Sequence, residues 1–278
     1  MPSYAERLKA HLAEYKRQAL GISEDGVWAK TKSTYPHILP KDLQRLNILE
    51  PFRDEFWAYF EAHKPPIRLH RDFHHLNSSQ ALTFNLFYPF LSSEIGQTAL
   101  LSALGHSADS ATSWALEAVP DPEEGTNFDV LISLRSGGTV FIEVKLTEAG
   151  FGACLPDDAH KAKLATIYSK RLAGRVAPGA LEEESFFPSY QLFRNASHVA
   201  PETRDEVILL VPRANGGLWT TGTIFCSDLL LPNLASAVRL ISLESVLVAL
   251  DDSLQASELR LRQQVDGLRE KYLLPDAT

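Results

Sequence analysis

Three charged residues stand at a spacing that suits hydrolytic chemistry. Thirteen residues separate Asp129 from Glu143, and Glu143-Val144-Lys145 sets a carboxylate and an ammonium two positions apart. In a strand, residues two apart point to the same face. Val140, Ile142, Val144 and Leu146 then take the opposite, apolar face. Charges on a covered sheet are costly unless they are paired or bind a cation. Two carboxylates suit a hard divalent ion, Mg²⁺ or alternatively Mn²⁺, which keeps several positions for water and a phosphate oxygen. A lysine beside the ion can position or help deprotonate an attacking water and offset charge on a phosphorane-like transition state. Arginine, which stays protonated, would accept a proton less well. The residue set therefore describes metal-assisted phosphate-ester hydrolysis, with Asp129 and Glu143 as metal ligands.

Short strands must position these groups. Apolar patterning predicts strands over Ser113–Val119, Asn127–Arg135 and Thr139–Leu146, with Ser136, Gly137 and Gly138 joining the last two as a hairpin. A three-residue loop at 136–138 would pair Arg135 with Thr139 and set Asp129 opposite Lys145; a two-residue loop would send Asp129 to the other face. Helices are expected over residues 3–20, 41–63, 158–172 and 188–199, with a buried strand over Glu206–Val211 ended by Pro212. Pro65 and Pro66 break the chain after the second of these helices. The apolar segment Ala81–Leu91 is too uniform for an exposed helix and is expected to lie against a sheet. Leucine spacing predicts a closing helical segment from Ser242 to Tyr272, with a break near Ala256.

Composition bounds the rest. The 278 residues, 45% hydrophobic and 22% charged, fit an ordinary globular chain. No apolar run approaches the roughly 20 residues of a membrane span, and the first thirty residues lack a signal-peptide core, so a cytoplasmic, membrane-free protein is expected. Cys154 and Cys226 alone support neither a disulfide framework nor a four-cysteine metal site. A net charge of -8 argues against a phosphate-binding surface spread over the whole protein. Lys161, Lys163, Lys170, Arg171 and Arg175 cluster locally and have two readings, phosphate contact or a solvated helix face.

The triad, with the order helix, three strands, helix, strand over residues 80–212, resembles the core of the PD-(D/E)XK phosphodiesterase superfamily. Thr126-Asn127-Phe128-Asp129, the run from Glu143 to Glu148, Phe151-Gly152, Asn77-Ser78-Ser79-Gln80, Phe84-Asn85-Leu86-Phe87 and Tyr190-Gln191-Leu192-Phe193-Arg194-Asn195 look like a bacterial restriction endonuclease-like branch. The resemblance implies an α/β fold with a restriction endonuclease-like αβββαβ core, its mixed central sheet flanked by helices. That core is expected at 77–232, after a helical N-terminal extension at 1–76 and before a helical C-terminal segment packed on it at 233–278. It further implies a metal-dependent DNA nuclease of restriction, genome-defence or repair type, and a possible homodimer for double-strand cleavage.

Phe128 precedes Asp129 where the family has proline. Pro120-Asp121 offers the family dipeptide eight residues earlier, but in a loop rather than a strand beside Glu143, so Asp129 is preferred. Glu94 and Glu117 are further metal-ligand candidates, each with a structural alternative. Gln191 resembles a glutamine that approaches substrate or metal, and Arg194 is expected to share its face; a structural hydrogen bond is the other reading. Glu148 reads as a cap or salt bridge. His70 and His74 lack the HExxH zinc pattern, and Cys154 reads as packing. The rival from another class is a catalytically silent nucleic-acid-binding module on the same fold. No Gly-rich phosphate loop or GxSxG elbow supports a nucleotide hydrolase or phosphatase.

Overall fold

The computed structural model describes residues 2–64, 67–200 and 202–275. Pro65 and Pro66, expected as the chain break, lie outside the described residues. The first elements are α1 (Tyr4–Gln18), β1 (Gly26–Val27), β2 (Thr34–Tyr35), α2 (Arg53–His63), α3 (Ser79–Leu91) and α4 (Glu94–Ala103). Three strands follow, β3 (Ala111–Ala118), β4 (Phe128–Leu134) and β5 (Thr139–Val144). Next come α5 (Asp158–Lys163), a wide turn at Leu164–Tyr168, α6 (Ser169–Arg171), α7 (Glu183–Phe186), α8 (Tyr190–Ala196) and β6 (Glu206–Val211). The chain closes with α9 (Gly216–Ile224), α10 (Pro232–Ala235), β7 (Val238–Ser242), α11 (Leu243–Ser253) and α12 (Leu259–Tyr272).

Two compact units divide the chain. One comprises residues 1–110, 212–215 and 242–278; the other comprises 111–211 and 216–241. The division at 110/111 differs from the boundary expected at 76/77. In the first unit α3 is buried along nearly its whole length, and α2, α4 and α12 pack against it. The expectation of a sheet partner rested on uniform burial, which neighbouring helices supply equally well. The break expected near Ala256 falls between α11 and α12.

The second unit holds a five-stranded mixed sheet in the order β3-β4-β5-β6-β7, flanked by helices. This is compatible with a restriction endonuclease-like core. The β3–β4 and β4–β5 pairs are antiparallel, whereas β5 and β6 run parallel through Glu143↔Leu209 and Val144↔Leu210. Every residue of β6 is buried, and after Glu206 its apolar run over residues 207–211 is that of a strand covered on both faces. Phe141, Val207, Leu209 and Val211 share a core with Leu164, Tyr168, Phe186, Leu192 and Phe193 from the helices. The fifth strand, β7, falls where a purely helical C-terminal segment was expected. Its Arg239 pairs with Glu206 at the start of β6, which ties this short segment to the sheet.

The hairpin register differs from expectation in an informative way. Ser133 pairs with Thr139 and Val130 with Ile142. Leu134 N–H donates to Gly138 O at 3.1 Å, so the loop is Arg135, Ser136 and Gly137. Continuing the register one residue past Val130↔Ile142 sets Asp129 opposite Glu143, with Lys145 one side-chain step further on the same face. The loop still has three residues, so the parity that brings the charges together survives.

Gly138 has φ +94°, and a Cβ built there would lie 2.5 Å from Arg204 O. Gly138→Ala is expected to lower the urea midpoint at unchanged slope, a destabilisation of about 1–3 kcal/mol. An unchanged midpoint would show that the turn relaxes without cost.

Candidate active site

Glu143 is the buried centre of the site, 3% exposed. Lys145 Nζ donates to its Oε1 at 2.6 Å, and Gln191 Nε2 donates to the same oxygen at 2.7 Å. Asn195 Nδ2 donates to Oε2 at 3.2 Å. Gln191 and Asn195 lie four apart on α8 and therefore share a face. The carboxylate is thus held from its own strand and from a helix across the sheet face.

Asp129 occupies the point where β4 and β5 stop pairing as backbones. The Val144 N–H donates to its Oδ2 at 2.7 Å, so a side chain replaces the expected backbone acceptor. Beyond this point β5 keeps company with β6, since Lys145 N–H donates to Leu210 O at 3.0 Å. Lys145, expected inside the third strand, therefore lies just past the end of β5 but in a fixed position.

Electrostatics follow from this crowding. Desolvation, then the nearby charges of Glu143 and Glu117, raise the Asp129 carboxyl well above the usual carboxylate range, against the opposing Val144 bond and Lys145 charge. Burial presses the Lys145 ammonium down, yet Glu143, Asp129 and Glu148 more than offset it and hold the group above its ordinary value. Lys145 is consequently a cation in the free protein.

Glu117 lies level with Asp129 in the β3–β4 register and carries φ +53°, unusual for a residue with a side chain. Its carboxylate accepts a hydrogen bond from Asn127 Nδ2 at 2.6 Å. It is near enough to raise Asp129, but no group of three histidine, cysteine or acidic side chains among the described residues can hold a metal ion. Glu94 belongs to the first unit, where it is exposed in the first turn of α4. Glu148 caps the turn after β5 by accepting Leu146 N–H at 2.6 Å.

Sequence reasoning placed Arg194 on the face of Gln191. Its guanidinium instead donates to Glu124 at 3.2 Å and Thr126 at 3.1 Å, and Asn195 is the residue that joins Gln191 on Glu143. The i, i+4 relation of Gln191 and Asn195 was the available signal. Gly152 completes the arrangement: at φ +95° its carbonyl accepts Gln191 N–H, and a Cβ there would lie 2.7 Å from Gln191 Oε1. Asp121 lies outside the group and pairs with Arg171 at 2.5 Å. His74 contacts Lys41 and the Val27 carbonyl rather than His70, and burial raises the Cys154 thiol.

A family model described as Restriction Endonuclease associating with ARP matches residues 9–273. The chain belongs to this family. The match runs through both compact units, so the terminal helices belong to it together with the sheet. Membership in a restriction endonuclease family supports a nuclease-like role acting on DNA. No curated protein and no solved structure matches the chain. No helix among the described residues is long and apolar enough to cross a membrane.

A raised Asp129 carboxyl favours folding below its unfolded value of about 3.9 and loses that advantage as pH rises through the folded value. Asp129→Asn keeps an acceptor for Val144 N–H and removes the repelled charge. In EDTA its Tm is expected to exceed that of the unsubstituted protein at pH 8, by a margin that shrinks at pH 5. A lower Tm at pH 8 would contradict the repulsion. Gly152→Ala is expected to displace Gln191 and cost about 1–3 kcal/mol by the same urea measurement.

Proposed function

We propose that the second unit is a metal-dependent DNA nuclease of the PD-(D/E)XK type, with Asp129, Glu143, Lys145 and Gln191 at its centre. The observation that carries this reading is the register that, continued one step past Val130↔Ile142, sets two carboxylates opposite each other, with the half-buried Lys145 bonded to one of them. The residues fit a hard cation. The two carboxylates offer oxygen ligands, burial and then the neighbouring acids raise Asp129, and the buried Asn195 Oδ1 has no hydrogen-bond partner among the described residues. Asp129 and Glu143 would hold Mg²⁺, with Mn²⁺ as an alternative and Glu117 as a neighbouring carboxylate. A bound ion there would polarise the scissile phosphate.

The chain's own groups do the remaining work. Gln191 and Asn195 fix the Glu143 carboxylate, which reduces the reorganisation required during reaction. Lys145 enters as an ammonium and so offsets negative charge accumulating on the phosphate. Its proton stays in place until the surrounding carboxylates are themselves neutralised, which favours an electrostatic and water-positioning role over proton acceptance in the free protein. Cutting both strands at one position needs a second centre, so a homodimer on DNA belongs to the proposal.

Purified protein incubated with supercoiled and linear DNA is expected to cut in Mg²⁺ or Mn²⁺ and not in EDTA. Lys145→Ala and Glu143→Gln should each slow cutting by about 10²-fold or more while folding normally. Wild-type protein that binds DNA but leaves it intact with every metal would favour the silent binding module instead.

A further inference from the structure

A second charged site lies in the same unit, away from the Glu143 cluster in its residues and its sign. Pro120, Lys170, Arg171, Arg175 and His198 border a cleft of about 380 Å³, together with Asp121. Of the basic stretch noted in the sequence, Lys161 pairs with Glu183 and Lys163 donates to the Glu124 carbonyl. Lys170, Arg171 and Arg175 are the members that reach the cleft.

Arg175 is the decisive residue. It is 6% exposed, yet no carboxylate pairs with it among the described residues. Its Nη1 donates to Val199 O at 2.6 Å and to Arg171 O at 3.4 Å, while Nε and Nη2 have no hydrogen-bond partner among those residues. Burying a guanidinium without a counter-charge is expensive, and desolvation already lowers its affinity for the proton. Beside it, Lys170 is exposed with no ion-pair partner among the described residues, and Arg171 commits one nitrogen to Asp121. Three basic side chains therefore line the cleft with one carboxylate, Asp121.

The geometry points to a phosphate-binding pocket, with Arg175 and Arg171 as guanidinium donors and Lys170 as a mobile cation at the rim. Guanidinium groups match phosphate oxygens through paired N–H donors. The phosphate belongs either to a nucleic-acid strand or to a free nucleotide or phosphate ion. The strand as source rests on the nuclease reading; the excess of positive charge does not. A local link to the candidate active site also exists. His198, on the cleft wall, contacts Glu124 at 3.0 Å, and Glu124 accepts from Arg194 on α8, the helix that carries Gln191 and Asn195.

The test uses full-length protein in EDTA, so that cleavage plays no part. Binding of a labelled DNA duplex is measured across a salt series for wild type, Lys170→Ala, Arg175→Gln and the control Arg7→Ala. In parallel, Tm is compared in inorganic phosphate and in chloride at equal ionic strength. Lys170→Ala is expected to weaken DNA binding about three- to tenfold and to reduce the salt slope by about 1, whereas Arg7→Ala leaves both unchanged. Phosphate should raise the Tm of wild type and do so less for both cleft variants. A phosphate effect lost in the variants with no change in DNA binding supports the pocket and assigns it to a free phosphate. Lys170→Ala is exposed and keeps the test valid if Arg175→Gln fails to fold. If Lys170→Ala changes neither the salt slope nor the phosphate shift, the pocket is overturned. DNA binding sensitive to Lys170 without any cleavage in metal would retain the pocket and defeat only the nuclease reading.

Discussion

A carboxylate buried against a sheet has to be compensated, and Glu143 is where this protein meets that demand. Its two oxygens receive an ammonium from the same strand and two side-chain amides from α8. Leaving such a charge unpaired would cost several kcal/mol in a poorly solvated setting. The partners cannot be chosen independently: the helix must present two residues four apart, the strand must present one two apart, and the loop bearing Gly152 must leave room for an amide. Sheet, helix and loop are thereby fixed to one another around one functional group.

The neighbouring aspartate shows the opposite balance. Asp129 gains one backbone hydrogen bond but sits beside two other acids, and its ionised form is disfavoured. A structure selected only for stability would not retain this arrangement. In the proposed reading a cation would supply the missing positive charge, and metal binding and proton release would then be one linked equilibrium. Glu117, with a backbone conformation rarely used by residues that carry side chains, adds to the same local tension.

Much of the sheet was legible in the sequence because its strands alternate or run apolar over lengths that suit no other element. β3, β4, β5 and β6 appear within a residue or two of their expected limits. The relation of Asp129 to Lys145 was less legible. Moving a three-residue loop by one position keeps every side chain on its face but exchanges the residue found opposite, and glycine at both 137 and 138 permits either placement. β7 escaped notice because five residues carry too little pattern. The place of α3 was unreadable for another reason: a helix apolar on every side states that it is covered, without saying by what. At the site, Asn195 was visible in principle through its spacing from Gln191. Arg194 drew the attention because charge is conspicuous, whereas a neutral amide acquires meaning only once its partner is located.

The two units use the chain differently, and this bears on the order in which the protein takes shape. The sheet-bearing unit is drawn from residues 111–211 and 216–241, a nearly continuous stretch. The other unit joins the beginning of the chain to its end, with α12 packed on α1 and α3. During synthesis from the N-terminus, α1 and α3 are made long before α12. Much of the apolar surface they share must wait while the whole sheet emerges. The sheet's contacts, by comparison, can close as soon as its own segments are complete. Helices α1 and α3, made well before α12, are therefore late to find all their partners, and they are segments for which protection from premature association matters.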